Sequence, residues 1–174
     1  IYQIFQEKYS SYVYVIVDKG SNSACLIDPD LDNIDFYVSF IKKLNLNLKM
    51  AIDTHLHSDH VSGLKYLREN NVKVIMGYSN KTRKIASQVV KDGNQIILGN
   101  SKILALHTPG HTEDSYCFFI NSNLFSGDTL LINGTGRTDL KTGSAERLYN
   151  SLNNKILTLK KETKIFPSHD YNKK

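Results

Sequence analysis

Three of the six histidines in this chain fall in one short run, Thr-His-Leu-His-Ser-Asp-His, from Thr54 to His60. His55, His57, His60 and Asp59 are nitrogen and oxygen donors of the kind that hold metal ions. If the backbone stays extended past the preceding strand, His55 and His57 share a face. Asp59 and His60 would then open the next helix and aim a second pair at the same place. A His-Glu-x-x-His motif would instead put its two histidines four apart on one helical face, which is a different geometry.

Three later fragments add donors. "HTPGHT" places His111 after a Pro-Gly turn, "SGDTL" places Asp128, and "PSHDY" places His169. Each follows the C-terminal end of an apolar run, so several strand ends could converge on one point. His107, ahead of the Pro-Gly turn, reads as a strand residue without a metal role. A donor set without thiolate suits zinc, iron(II), manganese or cobalt and argues against an iron–sulfur cluster or a cysteine-rich zinc site. Two stoichiometries stay open. One ion could take His55, His111 and Asp128, the two-histidine-one-carboxylate set of oxygenase-type iron. Two ions could share Asp128, with His55, His57 and His111 on one side and Asp59, His60 and His169 on the other, as in metal-dependent hydrolases.

The elements around these residues follow from apolar periodicity. Strands are expected at 1–7, 11–18, 23–29 and 48–54, with a helix over 32–45 that has Asp32 as N-cap and Ile34, Val38 and Ile41 at helical spacing. Val61, Leu64 and Leu67 predict a helix directly after the histidine run. A strand at 72–76 is followed by a polar, weakly helical stretch at 80–92. Short strands then fill 95–99, 101–108, 114–121 and 123–128. Residues 144–159 predict a helix capped by Ser144 with Leu148, Leu152, Ile156 and Leu159 on one face, and 163–168 a last strand. The pattern alone implies mixed α and β in one domain.

With 174 residues, 40% of them hydrophobic, the chain has the composition of a soluble globular domain with a full core. No apolar run approaches the ~20 residues of a membrane span, so no membrane partner is expected. The first residues lack a signal-peptide pattern, and opening on Ile1 reads as a trimmed or processed start. A net charge of +5 comes from scattered lysines. It reads as a solvated surface, with attraction of an anionic substrate as the alternative. Basic residues are not interleaved with aromatics, so nucleic acid is not expected. Cys25 and Cys117 lie in apolar runs and read as buried free thiols, compatible with a reducing compartment.

In this order, "THLHSDH", "TPGHT", "SGDTL" and "PSHDY" resemble the metallo-β-lactamase superfamily, over essentially the whole chain. The resemblance implies an α+β fold, the αββα sandwich, as a single domain over 1–174 with the metal site at one edge between two sheets. Two branches are similar. Glyoxalase II enzymes hydrolyse glutathione thioesters at a two-metal site, and zinc(II), one or two ions per chain, is the alternative cofactor. Persulfide dioxygenases use one iron(II) per chain and O2 to oxidise glutathione persulfide to sulfite and glutathione. The segment "GTGRTDLKTGSAERLYNSL" after Asp128, and His169-Asp170-Tyr171 in place of His-Glu-Tyr, resemble the dioxygenases.

Carried over, the resemblance implies His55, His111 and Asp128 as iron ligands. His57, Asp59, His60 and His169 would surround them or hold a second metal. Arg137, Tyr171 and Thr112 are implied near the substrate, although Arg137 could instead pair with Asp139. The tail after His169 is shorter than the family norm. A soluble protein of the cytoplasm or mitochondrial matrix, a homodimer, or a metal-binding protein without catalysis are all compatible with these residues.

Overall fold

The computed structural model describes residues 1–79 and 81–171. Its elements run β1 (Tyr2–Gln6), β2 (Ser11–Asp18), β3 (Ser23–Ile27), α1 (Ile34–Lys43), β4 (Asn47–Asp53), α2 (Leu64–Glu69), β5 (Lys73–Gly77), α3 (Thr82–Ile85), β6 (Gln88–Val90), β7 (Gln95–Leu98), β8 (Ser101–His107), β9 (Tyr116–Ile120), β10 (Asn123–Gly127), α4 (Ala145–Ser151) and β11 (Lys164–Pro167). A π-helical turn, Leu152–Ile156, continues α4.

β1 to β6 form one sheet in sequence order, antiparallel through β3 and parallel from β3 to β6. The second sheet runs β11-β10-β9-β8-β7, with only β10 and β11 parallel. Period-2 alternation explains why the central strands of the first sheet are apolar on both faces. Tyr14, Ile16, Cys25, Ile27 and Ile52 point to the second sheet and meet Ile103, Phe118 and Phe125. Their neighbours Val13, Val15, Leu26 and Ala51 point outward and are covered by Ile34, Tyr37 and Ile41 of α1 and Leu64 and Leu67 of α2. Outside the second sheet, Cys117 and Leu124 lie under Leu152, Ile156 and Leu159. Four layers result, helix, sheet, sheet and helix, the αββα arrangement expected.

Several local expectations are corrected. The N-cap of α1 is Asn33, not Asp32; Asp32 instead accepts from Lys8 and from the Tyr9 hydroxyl. The buried stripe of α1 is Ile34, Tyr37 and Ile41, while Val38 is exposed. α2 begins at Leu64 rather than at Asp59, and Val61 is exposed. Stretch 80–92 is a single helical turn, α3, followed by strand β6; Asn80 lies outside the described residues. Ser144 does cap α4, its side chain accepting from the Arg147 N–H at 3.2 Å. Both cysteines are free and buried.

Candidate metal centre

Four strand ends deliver the donor residues. β4 leads into His55, β8 through the Pro109-Gly110 turn into His111, β10 into Asp128, and β11 into His169. Ligand-type atoms of His55, His111 and Asp128, all buried, lie within 4.8 Å of one another. His111 Nε2 stands 3.4 Å from Asp128 Oδ2. A second group, His57, Asp59 and His60, meets the same 4.8 Å limit. His169 links the two, its Nε2 3.6 Å from Asp59 Oδ2 and 3.7 Å from Asp128 Oδ1. The ring centroids of His55 and His57 are 4.2 Å apart although β4 has already ended at Asp53.

Hydrogen bonds decide which nitrogen each imidazole presents. The Thr54 hydroxyl has one proton, which goes to Asp28 Oδ2 at 2.9 Å; its oxygen therefore accepts from His55 Nδ1 at 3.0 Å. His111 Nδ1 donates to the Arg137 carbonyl at 2.8 Å, and His169 Nδ1 donates to the Ser10 carbonyl at 3.3 Å. With Nδ1 so engaged, Nε2 is the nitrogen each of these rings could offer a metal. His57 is held through Nε2 by Asp28 Oδ1 at 3.2 Å, and His60 through Nδ1 by Asp59 Oδ2 at 3.0 Å. Among the described residues, the opposite nitrogens of these two rings, His57 Nδ1 and His60 Nε2, are buried without a hydrogen-bond partner, as is Asp128 Oδ1. Buried ring nitrogens and a carboxylate oxygen without partners in one place are costly, and a metal ion is one partner that would relieve them. The donor set fits a metal ion.

Electrostatics agree. Burial and the neighbouring His57 push the His55 imidazole well below its ordinary range, so it is neutral. Burial raises the Asp128 carboxyl, with His169 and His111 opposing the rise. At Asp59 burial also acts upward, but the His60 hydrogen bond and charge hold it well below the usual carboxylate range.

Backbone contacts brace the donors. The Ser144 N–H donates to Gly110 O at 2.8 Å and Ser151 Oγ to Pro109 O at 2.7 Å, fixing the turn before His111 to α4. At Gly136, whose N–H donates to Asp128 O, a Cβ would lie 2.7 Å from His111 Nδ1, so only glycine lets the chain pass this close.

A cavity of about 420 Å³ opens over the centre, lined by Ser58, Asp59, His111, Asp128, Leu131, Thr135, Gly136, Arg137, His169 and Tyr171. Tyr171 stacks on His169 with 5.1 Å between centroids and 6° between planes. Arg137 sits on the cavity wall but forms a two-point ion pair with Asp139, at 2.6 and 2.7 Å. The Thr112 hydroxyl is buried against Ser115 Oγ at 2.8 Å and braces the His111 turn. His107 ends β8, the strand residue expected, with Nε2 on the Glu113 carbonyl.

Two residues escaped the sequence reading. Asp28 accepts from Thr54 N and Oγ1, from Ser168 Oγ at 2.8 Å and from His57, tying together the ends of β3, β4 and β11. Burial works against its charge, yet His57 and the Thr54 N–H keep its carboxyl well below the usual range. Asp114 Oδ2 accepts from Leu56 N at 2.8 Å and steadies the histidine loop. In sequence, only the placement of each carboxylate after or before a strand end hinted at these roles.

The family model of the Metallo-beta-lactamase superfamily matches residues 7–169. The chain belongs to the metallo-β-lactamase superfamily. Members of this superfamily bind metal ions, and the donor groups above could hold one. Bovine "Persulfide dioxygenase ETHE1, mitochondrial" is 38% identical over 171 residues, 97% of this chain and 67% of the relative. ETHE1 from Myxococcus xanthus superposes with a TM-score of 0.93 at 37% identity, over 99% of this chain and 76% of that one. A hydroxyacylglutathione hydrolase from Pelagibacter ubique is 35% identical over 98% of this chain and 71% of its own length. Within the superfamily the chain falls with the persulfide dioxygenases, as an enzyme of the sulfur dioxygenase class. No helix among the described residues is long and apolar enough to cross a membrane.

Proposed function

We propose that this chain is a mononuclear iron(II) persulfide dioxygenase that converts glutathione persulfide, O2 and water to sulfite and glutathione. The observation that carries the reading is the buried His55, His111 and Asp128 group, two imidazoles and one carboxylate with ligand-type atoms within 4.8 Å of one another. These three residues would hold the iron. When bound, the metal supplies one-electron chemistry and leaves coordination positions open for small ligands. The terminal sulfur is oxidised, O2 is reduced and provides two oxygens, water provides the third, and the glutathione sulfur leaves as the thiol.

The remaining residues position and shield. Thr54 and the Arg137 carbonyl lock the tautomers of His55 and His111. His169 and Tyr171 form a flat wall over which the substrate enters. Arg137, exposed on the cavity rim, exchanges Asp139 for a carboxylate of the glutathione moiety, which a two-point guanidinium fork suits.

A second reading rests on a second observation: His57, Asp59 and His60 form another donor group, and hydroxyacylglutathione hydrolases are similar to the chain. In that reading two metals would serve thioester hydrolysis. His169→Ala separates them. The mononuclear reading expects iron content near one per chain to persist by elemental analysis; loss of one of two ions would favour the hydrolase.

A further inference from the structure

A second cavity, of about 620 Å³, shares no lining residue with the first. It lies between the histidine loop, α2, β5 and α3, a volume suited to a small organic molecule. Its apolar walls are Leu56, Val61, Met76 and Ile85; Asp53 and Ser62 also line it, and His57 and His60 of the second donor group form the side toward the metal centre. Asp53 is 2% exposed, and its Oδ1 has no hydrogen-bond partner among the described residues. A buried carboxyl oxygen without a partner is unfavourable in either protonation state, and a ligand bringing an N–H would relieve it.

The rim has the opposite sign. Lys65, Arg68 and Lys84 line the cavity with Glu69 as the one acidic residue of that rim. Lys84 makes no ion pair among the described residues. Arg68 donates to the carbonyls of Lys84 and Ile85 at 3.3 and 2.8 Å, not to a carboxylate. Lys65 meets Glu69 only at 4.0 Å, an exposed pair of small worth.

We propose that this cavity binds a small zwitterion with an apolar body. Its ammonium pairs with Asp53, its hydrocarbon lies on Leu56, Val61, Met76 and Ile85, and its carboxylate meets the Lys65, Arg68 and Lys84 rim. A divalent cation suits the cavity less. Asp53 does lie within 4.8 Å of Asp28 and His57 ligand atoms, but the Asp28 oxygens already accept from Thr54, Ser168 and His57.

The probe is 6-aminohexanoate, titrated calorimetrically into iron-loaded protein, with hexanoate and hexylamine as controls. Saturable binding in the millimolar range or tighter is expected, about tenfold weaker for either control. Asp53→Asn and Lys84→Ala should each weaken the zwitterion by about tenfold. Ile85→Trp should abolish binding by filling the cavity, and it also excludes capture of the probe at the iron. The absence of saturable heat, hexanoate binding as tightly as the zwitterion, or unchanged binding in Asp53→Asn and Ile85→Trp would overturn the proposal. A cavity that takes only water gives the first of these results.

Discussion

Each histidine of the cluster has one ring nitrogen taken up by another group, which decides the nitrogen it could offer a metal. Thr54 and the Arg137 and Ser10 carbonyls do this for His55, His111 and His169. Behind Thr54 stands Asp28, a carboxylate that receives two donors from Thr54 and one each from Ser168 and His57. Asp28→Ala strands all of these inside the protein. We expect a loss of about 3 kcal/mol, read by urea denaturation of metal-free protein, together with weaker iron binding. A loss below ~1 kcal/mol would show that Asp28 is not the hub of the site. The donor residues themselves were legible in the sequence, since histidine is scarce and each one follows an apolar run. Asp28 was not, because an aspartate before proline at a strand end reads as an ordinary turn residue.

At the level of elements, the strands were legible for the same reason they form. β2 and β3 alternate apolar residues onto two buried faces, and α4 repeats leucine and isoleucine along one side. The start of α2 was not legible. Polar Asp59 and His60 after a strand look like the first turn of a helix, but the Leu31 N–H on Val61 O and the Gly63 N–H on Pro29 O pin the loop five residues longer. These bonds join segments about thirty positions apart, and local periodicity carries no trace of them. Between the sheets, Asp18 at the end of β2 accepts from Ser101 Oγ of β8 at 2.6 Å and from Ser21 Oγ at 2.8 Å. These hydroxyls hold its carboxyl below the ordinary value. A depressed carboxylate stabilises the fold above its unfolded pKa of about 3.9 and stops doing so as pH falls through its folded value. Wild type should therefore be more stable than Asp18→Ala at neutral pH. Thermal melts of the two should converge as the pH drops below about 4; a gap that is constant with pH would assign the effect to packing alone.

For the whole molecule, the important fact is that the donors come from both sheets. His55 follows β4 of the first sheet, and His111 and Asp128 follow β8 and β10 of the second. An ion bound by all three pins the edge of the sandwich, and an ion that binds only the folded state stabilises it by mass action. Iron(II) in thousandfold excess over its Kd should raise Tm by roughly 10 °C in a chain of this size. Asp128→Ala should lose most of that rise; an undiminished shift would place the metal elsewhere. The same geometry explains why a mixed α and β pattern alone could not announce the site: the two sheets meet only after the chain has crossed between them.

The central claim is the reaction, and the most direct measurement is O2 uptake by anaerobically iron(II)-loaded protein given glutathione persulfide, with sulfite measured in the same vessel. One sulfite per O2 consumed is expected, with no uptake by His111→Ala. Protein shown to hold iron that consumes no O2, yet hydrolyses a glutathione thioester when loaded with zinc, would contradict that claim.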